Sequence, residues 1–165
     1  PPRIPLLSLA FGQGVTELGS WSARPERVAG YGYVGPFAEA PLIELGRGAR
    51  TSDEALQSAA AFFRGLGKAV VLAGDPPGQI VSRILSCLVN EAAFALDEGI
   101  ATPADIDTAT RLGLNYPRGP IAWAAYIGLD RVVTILDGLR TYYGEERYRI
   151  APALRRALYA GGGLR

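Results

Sequence analysis

The sequence predicts a mainly α-helical chain with an α/β part at its N-terminus. Up to about residue 75, short aliphatic runs alternate with helical patterns, which is typical of a layered α/β sheet. From Pro77 onward the apolar residues recur at helical spacing instead. We therefore predict two parts, residues 1–75 and residues 76–165, of which the second is entirely helical.

Four segments of the first part have the composition of strands. They are residues 4–10, 28–34, 42–45 and 68–73. The last is an almost unbroken β-branched and aliphatic run, which is typical of a buried strand. Helices are predicted over residues 15–23 and from a cap at Thr51 or Ser52 to about residue 66. A complete doubly wound nucleotide-binding sheet needs about six strands, so these four predict a truncated one.

The longest predicted helix covers residues 78–97 and is apolar on two sides. One side carries the row Ile80, Ile84, Leu88 and Ala92, and the other carries Val81, Leu85 and Val89. A helix that is apolar on several faces is expected to be buried on several sides. At about 30 Å it would be the spine of the helical part. Further helices are predicted around it, near residues 103–112, 120–127, 130–143 and 152–160.

Two helix starts with clear capping signals flank a turn at residues 115–119. Thr102 is predicted to cap a helix with Pro103 at its first position and Asp105 at its third. Gly113 is expected to end that helix in the left-handed conformation. Pro120 then opens the next helix. The pattern predicts a rigid helix–elbow–helix unit.

Composition argues against several classes of partner. The chain has 17 basic and 16 acidic residues, so nucleic acid and an acidic membrane surface are both disfavoured. No apolar run approaches the roughly 20 residues of a membrane span. Cys87 is the only cysteine, which excludes an internal disulfide and favours the cytoplasm. The Pro-Pro-Arg start, with no initiator Met, predicts a piece of a longer protein.

The absence of histidine limits the chemistry more than any other compositional feature. Without an imidazole there is no Ser-His or Cys-His pair and no conventional zinc site. General acid–base catalysis near neutral pH would need a Lys, a Tyr or a carboxylate with a shifted pKa. Cys87 lies in the middle of a predicted helix, where an inert core thiol is expected.

Several motifs, in one order along residues 15–160, resemble the 3-hydroxyacyl-CoA dehydrogenase family. The most informative is EGIATPADIDTATRLGLNYPRGPIAWAAYIGLD, from Glu98 to Asp130. RPERV, ELGRG and DPPGQIVSRIL precede it, and YGEERYR follows it. The resemblance implies a remnant of a nucleotide-binding sheet followed by the family's multi-helix C-terminal domain. It is closest to the second, degenerate module of two-module bacterial 3-hydroxybutyryl- or 3-hydroxyadipyl-CoA dehydrogenases.

The resemblance also locates the family's catalytic positions. In the family a His is the base, a Glu orients it, and a Ser and an Asn assist. Gly32 stands at the His position and Phe11 near the Ser position, while Gly35 and Ser82 stand at Asn positions. Glu44 is the one retained residue. We therefore predict no working catalytic residue, with Glu44 and Ser82 left as members of a former cleft.

The resemblance implies NAD for the parent enzyme, but the sequence predicts that this chain binds none. The dinucleotide fingerprint G-x-G-x-x-G must follow a strand and open a helix. Gly12-Gln13-Gly14 is the nearest match, yet the third glycine is misplaced: the pattern needs it at position 17, and the next glycine is Gly19. No acidic residue follows on a second strand, so a simple turn is the favoured interpretation.

The first predicted function is the helical domain of an NAD-dependent 3-hydroxyacyl-CoA dehydrogenase of fatty-acid or aromatic-acid catabolism. The domain would serve assembly and shape the substrate pocket without being catalytic by itself. Its expected partner is the catalytic dehydrogenase module or a second copy of itself, as a homodimer. Asn115, Tyr116 and Trp123, on or beside the elbow, are the candidate acyl-CoA contacts; turn and core roles are the alternative for the same residues.

Two other functions remain open at this point. The chain could be a stand-alone, non-catalytic acyl-CoA-binding module that kept the pocket and lost the hydride chemistry. It could also be a complete dehydrogenase that uses an unusual acid such as Tyr31 or Tyr33. Binding of a CoA ester and NADH-dependent turnover separate these hypotheses.

Overall fold

The computed structural model describes residues 4–164, so the Pro-Pro-Arg start and Arg165 lie outside the described residues. Within that range the chain forms four strands and seven α-helices. The strands are β1 (Leu6–Leu9), β2 (Val28–Gly32), β3 (Leu42–Gly46) and β4 (Ala69–Ala73). The helices are α1 (Val15–Ser20), α2 (Asp53–Gly65), α3 (Val81–Asp97), α4 (Pro103–Leu114), α5 (Pro120–Ile127), α6 (Leu129–Tyr143) and α7 (Pro152–Tyr159). The predicted succession of an α/β part and a helical part is therefore present.

The strands form one mixed sheet in the order β1-β2-β3-β4. β1 runs parallel to β2, β2 antiparallel to β3, and β3 parallel to β4. The register places Gly32 directly opposite Glu44. α2 covers one face of the sheet through an apolar cluster of Ala29, Ile43, Leu45, Leu56, Ala59, Ala60 and Phe63. The sheet thus has its own small core.

The prediction that β4 is a buried strand is wrong. β4 is the last strand of the order, and its side chains are largely exposed, with Val71 at 39% and Leu72 at 66%. Its aliphatic run is like that of a central strand. The prediction fails because composition shows how apolar a strand is, but not how many neighbours it has. β4 is therefore an exposed apolar edge.

α3 is central to the helical part, as predicted, but it is not buried all round. It packs against α5, α6 and α7. Its buried side contains Ser82, Ser86, Val89, Asn90, Ala92 and Ala93, whereas Ile80 and Ile84 are 43% and 55% exposed. Periodicity identifies an apolar row without showing what covers it. Within residues 4–164 the end of this row at Ile80 and Ile84 stays exposed, whereas Ala92 at its other end is buried.

Two predicted helix caps are confirmed and one helix end is corrected. The Ser52 hydroxyl accepts a hydrogen bond from the Ala55 amide, and the Thr102 hydroxyl accepts one from the Asp105 amide, each at 3.2 Å. Gly113 lies inside α4 instead of ending it. The left-handed residue is Asn115, at φ 54°, since Asn tolerates this conformation better than most other non-glycine residues.

The elbow between α4 and α5 is held by one carboxylate that the sequence did not single out. Asp107 of α4 accepts hydrogen bonds from the Ile121 and Ala122 amides at 2.8 and 3.0 Å. These amides belong to the first turn of α5, where backbone donors have no partner inside the helix. A side chain of α4 therefore caps α5, which gives the predicted rigidity a physical cause.

The helical core is built on α6. Val132, Leu136, Val89 of α3 and Leu154 of α7 are all completely buried in one cluster. Asn90 ties the loop before α7 to α3, because its amide group donates to the Arg149 carbonyl and accepts from the Ala151 amide. No helix among residues 4–164 combines the length and the apolar character needed to cross a membrane.

Candidate functional site

The candidate site lies where the sheet meets the start of α3, and Glu44 is at its centre. This side chain is only 2% exposed. Its carboxylate accepts hydrogen bonds from the Val81 amide at 2.8 Å and the Ile80 amide at 3.2 Å. Burial raises the pKa of Glu44 above its ordinary value, and the two backbone hydrogen bonds oppose that rise. Glu44 therefore joins β3 to α3 electrostatically.

Gly32 faces the same carboxylate from the neighbouring strand. A Cβ atom at Gly32 would lie 3.9 Å from Glu44 Oε2. A side chain at this position would thus be directed at Glu44, which is the pairing that the resemblance implies for His and Glu. The same Cβ would lie only 3.1 Å from Gln79 Cγ. Gln79 therefore occupies the space into which that side chain would extend.

Gly35, at one of the family's Asn positions, is also closed off. Its φ of 77° favours glycine, and an added Cβ would collide with the ring of Tyr126. Arg131 of α6 donates a hydrogen bond to the Gly35 carbonyl at 3.2 Å. The Arg131 guanidinium also stacks over the rings of Phe11 and Tyr33, at 4.8 and 5.2 Å from their centres. The cleft at these positions is filled by side chains of the helical part.

Ser82 is buried and already engaged. It is on the inner side of α3, and its hydroxyl donates to the Tyr33 carbonyl at 3.4 Å. The structure thus brings Ser82, Glu44 and Gly32 to one interface, while their role as members of a former cleft stays a prediction. The residues that sequence reasoning missed are Gln79, Tyr126 and Arg131. Gln79 and Tyr126 lie inside the quoted motifs, but those motifs gave neither residue a role in the cleft.

The glycine turn Gly12-Gln13-Gly14 packs beneath α6. A Cβ at Gly12 would lie 2.8 Å from Thr134 Cγ2, and one at Gly138 would collide with the Gly12 backbone. The first amides of α1 are also occupied, because Asp75 accepts from the Val15 amide through its carbonyl and from the Thr16 amide through its carboxylate. A pyrophosphate needs open amides at such a turn, so these residues do not fit it here.

The elbow carries a cluster of aromatic rings around one cation. The Arg118 guanidinium lies over Tyr126 at 4.3 Å and over Trp123 at 5.6 Å. The Trp123 and Tyr126 rings meet edge to face at 5.8 Å. Asn115 and Tyr116 are exposed on the adjoining turn. The cluster offers a cation and apolar ring surface together, which is the chemistry that an anionic ligand with an apolar part requires.

Burial favours the protonated forms of two other candidate groups, Cys87 and Tyr31. Burial raises the pKa of the Cys87 thiol, against the lowering effect of Arg83 and Arg147, so the thiolate is disfavoured. Burial also raises the pKa of Tyr31, with a contribution from Tyr33. Among residues 4–164, no three His, Cys, Asp or Glu side chains cluster as metal ligands would.

Sequence profiles identify the family of both parts of the chain. The profile of the 3-hydroxyacyl-CoA dehydrogenase C-terminal domain matches residues 78–162. The profile of the NAD binding domain of the same family matches residues 6–76.

The chain belongs to the 3-hydroxyacyl-CoA dehydrogenase family.

Its relatives within the family are bacterial and mitochondrial dehydrogenases. It is 37% identical over 161 residues to a probable 3-hydroxybutyryl-CoA dehydrogenase of Bacillus subtilis, covering 98% of this chain and 56% of the relative. It is 42% identical over 122 residues to 3-hydroxyadipyl-CoA dehydrogenase of Escherichia coli, covering 73% of this chain and 26% of the relative. The resemblance that the sequence motifs indicated is thus confirmed at the level of the family.

Solved structures of the family share the fold. The crystal structure of (S)-3-hydroxybutyryl-CoA dehydrogenase from Ralstonia eutropha superposes with a TM-score of 0.84 at 35% identity, over 95% of this chain and 56% of that one. The Escherichia coli 3-hydroxybutyryl-CoA dehydrogenase structure gives 0.81 at 36% identity, over 94% of this chain and 32% of that one. The chain spans about half, or less, of the length of these family members.

Proposed function

We propose that this chain is the helical module of an NAD-dependent 3-hydroxyacyl-CoA dehydrogenase of the 3-hydroxybutyryl type. In this role it serves assembly and pocket shaping, and a partner module carries out the hydride transfer. The observation that carries the proposal is the closed cleft: Glu44 is retained, but Gly32 offers no base and Gln79 fills the adjoining space. A buried carboxylate without a base to orient supports a structural role.

The proposal includes the cofactor. We infer that NAD is bound by the partner module and not by this chain. The packing of Gly12 under α6 and the use of the α1 amides by Asp75 support this inference. When bound to the partner, NAD supplies the hydride acceptor of the reaction. This chain would contribute the walls that orient the acyl chain and exclude water.

The position within a two-module enzyme is supported by length. The match to the Escherichia coli 3-hydroxyadipyl-CoA dehydrogenase covers 26% of that relative, which leaves room for a complete first module elsewhere in such a protein. The division at residues 75 and 76 remains a prediction, and the profile matches to residues 6–76 and 78–162 support it. A cytoplasmic location also remains a prediction, from the single cysteine.

The partner proposal rests on exposed apolar surface. Ile80 just before α3 and Ile84 in its first turn are exposed, and so are Leu112 and Leu114 of α4. None of the twelve residues of α4, all of them described, is buried. A helix with no fully buried residue gains little from tertiary packing within its own fold, so we propose that a dehydrogenase module or a second copy of the chain covers this surface.

A non-catalytic acyl-CoA-binding module is the second candidate. The elbow cluster favours it, because Arg118 over Trp123 and Tyr126 can meet a phosphate while the rings meet an apolar chain. Asn115 and Tyr116 on the same turn would add polar contacts. In this case the chain would hold a CoA ester without changing it.

One paired measurement tests the proposed function. The chain is titrated calorimetrically with acetoacetyl-CoA while NADH consumption is followed in a parallel cuvette. We expect no turnover, and turnover would contradict the proposal outright. Saturable binding without turnover would favour the acyl-CoA-binding candidate, and no binding would favour a purely assembling module.

Matched variants locate any binding. Asn115→Gly removes the amide while keeping a residue that accepts the left-handed φ, and Trp123→Ala removes the ring. If the elbow binds the ester, each variant weakens binding at least tenfold. Tyr159→Ala, at an exposed aromatic residue of α7, is the control and should leave the affinity unchanged.

A further inference from the structure

The outer edge of β4 carries backbone groups with which no strand pairs. At the two ends of its ladder with β3, the Ala69 amide donates to the residue before β3 at 2.8 Å, and the Ala73 carbonyl accepts from the residue after β3 at 3.2 Å. In a parallel pair, alternate residues of a strand bond to the same neighbour. Val70 and Leu72 therefore direct their amide and carbonyl groups away from β3, and within residues 4–164 no strand lies on that side.

The usual devices that protect an edge strand are missing from β4. Exposed edges are commonly blunted by a charged side chain, a proline or a bulge. Residues 69–73 read Ala-Val-Val-Leu-Ala, and their register with β3 is unbroken. Lys68 stands just before them, but its ammonium group is turned back onto the carbonyls of Phe37 and Ala40, at 2.8 Å each. The edge is therefore open to another strand.

The side chains of β4 are nearly symmetric in size about Val71. If two copies pair antiparallel about this residue, each Val70 lies opposite a Leu72, and each Ala69 lies opposite an Ala73. Val70 and Leu72 hold the outward backbone groups, and facing residues of an antiparallel pair can exchange both of their hydrogen bonds. Val71 then faces its own copy on the two-fold axis as a non-hydrogen-bonded pair. The edge is thus complementary to itself.

The charges beside the strand favour the same direction of pairing. In the antiparallel register, Lys68 of one copy comes within one position of Asp75 of the other, at both ends of the paired segment. A parallel pairing would instead bring Lys68 to Lys68 and Asp75 to Asp75. Opposite charges across a strand pair stabilise it and like charges destabilise it, so the flanking charges select the antiparallel arrangement.

Apolar surface next to the edge supplies the burial that strand pairing lacks. A two-stranded pair by itself is only marginally stable in water. Val71 stands beside Glu44 in the register with β3, and Glu44 accepts a hydrogen bond from the Ile80 amide. Val71, Ile80 and Ile84 therefore lie on the same side of the sheet, and all three are exposed. Covering them removes apolar area from water, which adds to the hydrogen bonds of the edge.

We propose that two copies of this chain pair antiparallel through β4, with Val71 on the two-fold axis and the exposed start of α3 packed beside the paired strands. The two sheets then form one continuous sheet, and the use of the same surface by both copies closes the assembly at a dimer. The inference rests on the proposed function, in which a second copy is one candidate to cover the exposed apolar surface. It adds the edge, the direction and the register of the pairing.

Disulfide cross-linking tests the register. Val71→Cys, Leu72→Cys and Gln57→Cys are each made with Cys87→Ala, which removes the native thiol. Residues on the axis have Cα atoms about 4.5 Å apart, within the range of a disulfide. The two Leu72 positions are diagonal neighbours, about 7–8 Å apart and beyond that range, although Leu72 is the more exposed side chain. Gln57→Cys, at an exposed position of α2, gives the rate of random collision.

In aerobic oxidation at equal protein concentration, we expect Val71→Cys to form a disulfide dimer at least tenfold faster than Leu72→Cys. Adding Ile84→Glu to Val71→Cys should lower its rate to that of Gln57→Cys, because the pairing needs the apolar surface as well as the edge. Leu72→Cys that cross-links as fast as Val71→Cys would overturn the proposal, and so would Val71→Cys that cross-links only at the collision rate.

A charge exchange on the axis gives a second readout that needs no cysteine. Val71→Lys and Val71→Glu each place like charges opposite each other in a homodimer, whereas an equimolar mixture pairs opposite charges. By light scattering, we expect the mean mass of the mixture to exceed that of either variant alone. A mixture no more associated than its components would show that residue 71 does not face itself.

These outcomes are separable from those that test the proposed function. The cross-linking and mass measurements need no CoA ester and no NADH. Turnover of acetoacetyl-CoA by the chain would contradict the proposed function whatever β4 does. Cross-linking of Val71→Cys at the collision rate, in a chain without turnover, would contradict only the pairing of β4.

Discussion

At the scale of single residues, Glu44 is present although its family partner, the His, is replaced by Gly32. Its carboxylate caps the first amides of α3 from the sheet, so it has a structural use even with glycine at position 32. The same contacts leave it almost wholly buried. Its retention is therefore explained without any catalysis.

The raised pKa of Glu44 predicts how stability depends on pH. Because the folded state raises this pKa, the protonated carboxyl is the form that folding favours. The resulting contribution to stability is fully present below the ordinary pKa of about 4.3 and is lost as the pH rises through the folded value. We expect the free energy of unfolding of the native chain, relative to Glu44→Gln, to fall as the pH rises from about 4.

Urea unfolding of both proteins over a series of pH values measures this difference. Glu91→Gln, which removes a carboxylate from the exposed side of α3, shows the effect of losing one surface charge. A difference that stays constant with pH, or that grows as the pH rises, would show that burial of the Glu44 carboxylate is not the dominant effect.

At the scale of elements, the elbow is a unit because a side chain caps the start of each of its two helices. Thr102 caps α4 through its own first turn, and Asp107 of α4 caps α5 across the turn. A close approach at Gly119 is required, since an added Cβ would collide with Asp107. The angle between α4 and α5 is thus determined by hydrogen bonds and not by core packing.

Removing the cap across the elbow should destabilise the chain. Asp107→Ala leaves two amides of α5 without their acceptor, and we expect a loss of about 1–2 kcal/mol in the free energy of unfolding. Asp107→Asn keeps one acceptor oxygen and should lose less. Thr108→Ala, at the next and exposed position of α4, is the control. Equal midpoints for Asp107→Ala and Thr108→Ala in urea would contradict the role of Asp107.

Removing the cap at the start of α4 should cause a smaller loss of stability. Thr102→Ala removes the oxygen that accepts from the Asp105 amide, so we expect a loss of about 1 kcal/mol. Thr102→Ser retains the oxygen and should restore most of it. Thermal unfolding of the two variants side by side measures the effect, and an Ala variant as stable as the Ser variant would count against the cap.

At the scale of the whole molecule, the fold leaves apolar side chains exposed on several elements, among them one strand and two helices. β4 exposes Val71 and Leu72, Ile80 and Ile84 are exposed at the start of α3, and no residue of α4 is fully buried. Contiguous apolar surface on a folded chain marks interaction sites or aggregation-prone regions. The molecule is therefore expected to associate.

Association should depend on the exposed row of α3. In light scattering after size exclusion, we expect the mean mass to rise above the 17.5 kDa of one chain as concentration increases. Ile84→Glu, which places a charge in the row, should hold the mass near that of the monomer. Gln57→Glu adds the same charge at an exposed position of α2, outside the surface proposed to be covered, and should not. A native chain that stays monomeric across a wide concentration range would contradict the proposal.

Much of the fold and part of the site could be predicted from the sequence. Order and type of the elements follow from periodicity, and the Ser52 and Thr102 caps follow from local hydrogen bonding. These features depend on residues a few positions apart. The family motifs assigned Gly32 and Glu44 to the positions of the family's His and its orienting Glu, and the strand register places these two residues opposite each other.

Only the tertiary structure decided which apolar surfaces are covered and what fills the cleft. β4 is exposed because no neighbour pairs with its outer edge within residues 4–164, and α3 turns a partly polar side inward because Asn90 and Ser82 meet backbone groups far away in sequence. Gln79 and Arg131 close the cleft from outside the family's catalytic positions. Periodicity and capping are local, whereas burial depends on contacts between distant segments, and those exist only once the chain has folded.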